Sequence, residues 1–97
     1  MKKIENYLDA ARSFNSSLPC ESDSNLRVVS KPKNHDDKDR GFAEYVFNDG
    51  VTVRHSYQGN IYFGHKDFDH NIEVIDDAGH DFEKKSLSYN MQSSNRL

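Results

Sequence analysis

One cysteine, Cys20, is all the thiol chemistry this 97-residue sequence has. It can neither close an intramolecular disulfide nor anchor a cysteine-based metal site. No apolar run is long enough for a transmembrane helix. The opening MKKIENYLDAARSF lacks the apolar stretch of a secretion signal. These absences point to a cytoplasmic protein with no membrane partner. Catalytic signatures are missing as well: there is no G-x-S-x-G, no glycine-rich phosphate loop, no Cys-x-x-Cys and no HExxH. Pairing Cys20 with a histidine, or Ser56 with a His–Asp pair, would require a convergence that no strained nucleophile turn marks. Glu21 beside Cys20 opposes a thiolate. The expectation is a protein that is not an enzyme and carries no cofactor.

What is present is charge and aromatic bulk. Charged residues make up 30% of the chain and apolar ones 34%, with six Phe and five Tyr to fill a core. The length suits one small domain over residues 1–97. The net charge of −3 hides a division along the chain. Residues 1–34 carry net +2, residues 35–83 carry net −8, and residues 84–97 carry net +3. Such asymmetry bears on partners rather than on fold.

Hydrophobic spacing predicts an α+β fold, an N-terminal amphipathic helix packed on an antiparallel β-meander of about four strands. Ile4, Leu8, Ala11 and Phe14 recur at helical spacing over about 2–16, with Tyr7 beside them. Glu5 and Asp9 lie toward the start and Arg12 near the end, as the helix dipole favours. Asn15 to Pro19 then stop the helix. The sheet is expected over about 26–76, beginning with LRVVS (26–30). KPKNHDDKDRG (31–41) reads as an exposed loop. FAEYVF, NDG and VTVRHSY form the clearest hairpin, with Val51, Val53, His55 and Tyr57 on its buried face. Gln58–Gly59–Asn60 reads as a further turn, and NIEVI (71–75) as another strand. Residues 79–90 fit neither helix nor strand cleanly, and the tail 91–97 is expected to fray.

His65, Asp67, Asp69, His70 and His80 are potential metal ligands within a short span. Their spacing matches neither a zinc helix nor a calcium loop, so solvated side chains are expected there. Lys2, Lys3, Lys84 and Lys85 with Tyr57, Tyr62 and Phe63 could suggest nucleic-acid binding. The acidic middle and a pI near 5.9 argue against it, and the aromatics are expected in the core.

The carboxylates come in clusters: Asp36, Asp37 and Asp39; Asp67 and Asp69, with Glu73 following; then Asp76, Asp77, Asp81 and Glu83. Like charges so placed repel, a cost that a basic partner would relieve. On a strand, residues 67 and 69 would point to one side about 7 Å apart, close to successive phosphates along one DNA strand. These ten residues are the candidate partner-binding set, suited to arginine and lysine in a cationic groove. Their use as one surface requires that they share a face.

The short chain, its N-terminal helix, the hairpin YVFNDGVTV and the clustered acids resemble small phage-encoded anti-CRISPR proteins. The similarity is to DNA-mimic inhibitors of the type I-F CRISPR–Cas surveillance complex. That resemblance implies inhibition without catalysis, by occupying the basic channel where target DNA enters. It also requires Lys31, Lys33, Lys84 and Lys85 to face away from the contact. The alternative is an acidic immunity or antitoxin protein that blocks a basic nuclease toxin.

Overall fold

The computed structural model describes residues 1–16, 25–37, 39–63 and 65–92. Cys20 and most of the expected loop 20–25 lie outside the described residues, as do residues 93–97 of the tail. Helix α1 spans Ile4–Ser16, followed by strands β1 (Val28–Asp36), β2 (Arg40–Phe47), β3 (Thr52–Tyr62), β4 (His65–Asp76) and β5 (Ser86–Gln92). All neighbouring strands pair antiparallel in the order β1-β2-β3-β4-β5. The α+β meander is therefore as the periodicity predicts, with five strands.

Helix α1 docks because Ile4, Tyr7, Leu8 and Ala11 form one apolar stripe, joined by Ala10. It packs over Phe47, Val51, Val53, Ile72 and Val74, all buried in the same core. Each large aliphatic side chain buried this way contributes roughly 1.5–3 kcal/mol. Tyr7 is the pivot: its ring meets Phe47 edge-on at 4.9 Å and Phe82 at 5.3 Å. Its hydroxyl donates to Asp49 at 2.5 Å in the β2–β3 turn. Phe14, expected on the stripe, is exposed beyond the core and meets only the rim, with Tyr45 edge-on at 6.3 Å. The helix runs past Arg12 to Ser16, so its last turn holds no basic residue.

The Asn48–Asp49–Gly50 hairpin forms as expected. Gly50 takes φ 91°, a left-handed conformation that glycine adopts without a Cβ clash. Asp49 Oδ1 accepts from Val51 N and closes the turn.

Three expectations are corrected. The stretch 31–41 is mostly strand, because β1 continues to Asp36 and turns directly into β2. Pro32 fits there because β1 is an edge strand, and the register shifts on either side of Ser30. Gln58–Gly59–Asn60 is not a turn but runs straight within β3. Gly59 serves close approach instead: a Cβ there would come within 3.1 Å of the Phe68 ring and 3.2 Å of the Asp39 carbonyl. The chain reverses later, where Phe63 takes φ 48°. Third, the segment 79–90, left open between helix and strand, is strand only from Ser86, and β5 runs on through Met91 and Gln92, which were expected to fray; before it, Phe82 is anchored by an isolated bridge to Lys2.

Candidate functional site

Strand β4 carries most of the sequence's acidic candidates, and strand geometry divides them. Ile72 and Val74 enter the core under α1, so Asp67, Asp69 and Glu73 take the opposite face. On that face the register aligns Lys33, Glu44, Arg54 and Glu73 across four strands. Arg54 lies 3.8 Å from Glu44 and stacks over Phe42 at 4.1 Å. The cations of the uncovered face lie on β1–β3, where Glu44 is buried beside Arg54, and its exposed carboxylates Asp69 and Glu73 lie on β4.

Asp67 and Asp69 do share a side, as strand spacing predicts. Asn60 spans them, donating to Asp67 at 3.1 Å and to Asp69 at 2.8 Å. Asn90 donates to the other Asp69 oxygen at 2.8 Å. Those two amides, Asn90 foremost, hold the Asp69 carboxyl below the ordinary carboxylate range. Asp67 is buried, whereas Asp69 and Glu73 are exposed.

The other candidates do not join this face. Asp36 lies on the α1 side of the sheet, where Tyr57 donates its hydroxyl to it. Asp37 and Asp39 sit in the β1–β2 turn, and Asp39 pairs with Lys66 at 3.1 Å. Asp76 and Asp77 lie at the far end of β4 and accept from Ala78 N and Gly79 N. Asp77 also binds Lys85 at 2.7 Å, and this contact lowers the Asp77 pKa and raises that of Lys85. Asp81 and Glu83 follow, their backbones joined to Lys2. The three clusters therefore occupy the two ends of the sheet and one strip of its outer face.

Of the basic residues, Lys31 lies over the Tyr45 ring on the α1 side. Lys84 reaches Glu5 at 3.7 Å, and Lys85 reaches Asp77. Lys33 occupies an outer-face register position opposite Glu44.

Of the residues weighed as metal ligands, Asp67, Asp69, His70 and His80 do not converge, and the side chain of His65 lies outside the described residues. His70 faces the α1 side while Asp67 and Asp69 face away, and His80 contacts the Asp49 carbonyl at the other end. Among the described residues, no three of His, Cys, Asp and Glu are grouped to hold a metal ion.

A second cluster, which sequence spacing did not reveal, lies where the sheet extends beyond α1. The register aligns Asp36, Gly41, Tyr57, His70 and Tyr89 across all five strands. His55, one row away, brings Nε2 within 3.0 Å of His70 Nδ1, one ring donating to the other. Tyr89 stacks on His70 with centroids 4.7 Å apart and planes 1° from parallel. Its hydroxyl is 3.4 Å from His55 Nε2. Burial foremost, then His70 and Arg12, pushes the His55 pKa down to about 4. Burial and Arg12 also hold His70 below its ordinary value. Both shifts favour the neutral imidazole. They open on a cleft of about 830 Å³ that Asn15, Lys31, Tyr57 and Phe68 also line. The alternation of Val51, Val53, His55 and Tyr57 put His55 on the inner face, but its pairing with His70 is a matter of register.

Two aromatics expected in the core have other places. Tyr57 is half-buried in this cluster, and Phe63 is almost fully exposed at the β3–β4 reversal beside exposed Ile61.

No protein-family model, curated protein or solved structure matches this chain. Among the described residues, no helix is long and apolar enough to cross a membrane.

Proposed function

We propose that this protein is a non-catalytic inhibitor that sets the carboxylates of β4 into a cationic nucleic-acid-binding groove. The observation carrying this reading is that Asp69 and Glu73 are exposed on the sheet face opposite α1, with Asp69 held ionised by Asn60 and Asn90. A carboxylate fixed by two amides offers its remaining lone pairs to a guanidinium without first losing side-chain freedom. The contact lies on the β4–β5 side, because Lys33, Arg40 and Arg54 occupy the β1–β3 part of that face.

The resemblance to DNA-mimic inhibitors supplies a groove to try: the target-DNA channel of a type I-F CRISPR–Cas surveillance complex, in the bacterial cytoplasm. The test is co-purification with that complex, followed by competition with target DNA. Co-purification with loss of DNA binding supports the reading. If the protein neither binds the complex nor competes with DNA, that partner is wrong, and nuclease toxins become the next cationic grooves to try.

A further inference from the structure

We propose that His55 Nε2, His70 Nδ1 and Tyr89 Oη form a copper(II)-binding site on the inner face of the sheet. This inference is independent of the proposed use of β4, whose carboxylates point the other way.

The three donor atoms come from β3, β4 and β5, so a continuous hydrogen-bonded sheet fixes their spacing. His55 Nε2 lies 3.0 Å from His70 Nδ1 and 3.4 Å from Tyr89 Oη. For ligands at about 2.0 Å from a metal, those separations subtend roughly 97° and 116° at the ion. The first lies between the square-planar and tetrahedral angles and the second is slightly wider than tetrahedral, a distorted geometry within reach of a nitrogen–oxygen copper(II) site. Copper(II) also stands at the top of the affinity order for such donors.

On binding, the proton of the His55–His70 hydrogen bond passes through solvent to the far nitrogen of its own ring, leaving N–H groups at His55 Nδ1 and His70 Nε2. The Tyr89 phenol loses its proton to solvent and ligates as phenolate. Arg12 lies 5.5 Å from the Tyr89 ring centroid. Its charge opposes a nearby cation, a cost that the three ligands must exceed.

Copper(II) alone is the probe, titrated into the full chain at pH 7 by calorimetry and visible absorption. One equivalent should bind, with one proton released and a phenolate-to-copper charge-transfer band. His70→Ala and His55→Ala should each weaken binding at least tenfold, whereas His80→Asn should leave it unchanged. Tyr89→Phe keeps the ring that packs against the core and should abolish the band. Circular dichroism checks that each variant folds, and Tyr89→Phe serves if a histidine variant does not. Wild-type affinity in both histidine variants overturns the site. So does a wild-type titration without the band, or a band that survives Tyr89→Phe.

Discussion

Tyr57 lies across Gly41, its register partner, and this lets its hydroxyl reach Asp36 on the next strand. A Cβ at residue 41 would come within 2.8 Å of the Tyr57 hydroxyl and would also collide with the His35 carbonyl oxygen. Backbone cannot move aside as a flexible side-chain end can. Gly41→Ala should therefore cost about 1–3 kcal/mol, as overpacking does. Tyr57→Phe, which removes only one exposed hydrogen bond, should cost about 0.5–1.5 kcal/mol. Urea unfolding of the two variants checks the order. A harmless Gly41→Ala would mean that Tyr57 does not lie where it is described.

Asp49 joins the β2–β3 turn to the helix, accepting from the Tyr7 hydroxyl at 2.5 Å and from Val51 N at 3.1 Å. Lys2 adds a weaker charge contact at 3.9 Å. Asp49→Ala should destabilise by about 1–3 kcal/mol, because a buried tyrosine hydroxyl loses its carboxylate acceptor. Asp49→Asn keeps an acceptor oxygen and should cost less. Thermal melts of the pair measure the difference.

Stability should fall with pH before any carboxylate titrates. His55 has a folded pKa near 4 against an ordinary value of 6.5, so the unfolded chain binds more protons between those values. Its contribution is complete above pH 6.5 and is lost as pH falls toward 4, amounting to about 3 kcal/mol. The lowered His70 acts in the same direction. Below pH 4 the depressed carboxyls of Asp69 and Asp77 begin to add their own loss. Urea unfolding at pH 7 and pH 5, with chelator present, should show this decline. His55→Gln should flatten it.

Reversing the charge of β4 tests the proposed contact. Glu73→Lys should weaken binding to a cationic partner at least tenfold while shifting thermal stability little, since its side chain is exposed, whereas adding Asp69→Lys should weaken binding further and also lower stability by removing the acceptor of Asn60 and Asn90. Association should also slow as salt rises, because charges are screened over about 8 Å at physiological ionic strength. A salt-independent on-rate would count against an acidic contact. Asp76 and Asp77 are poorer targets: they accept from the backbone at Ala78 and Gly79, where φ is 52° and 81°.

Local sequence determined the parts whose physics is local. Alternating Val53, His55 and Tyr57, with Val51 just before them, set one face of β3, Asn48–Asp49–Gly50 set its hairpin, and the Ile4–Leu8–Ala11 stripe set the helix. The strand position of Asp67 and Asp69 likewise follows from period two once β4 is recognised. Glycine and proline misled, because each has two uses. Gly59 looked like a turn and instead admits the Phe68 ring, while Pro32 looked like a loop and is tolerated at a sheet edge. Only the tertiary structure decided which carboxylates share a face and which are matched internally by Tyr57, Lys66 or Lys85. Only it brought His55, His70 and Tyr89 together, since cross-strand register depends on how three strands pair over the core and not on the residues between them.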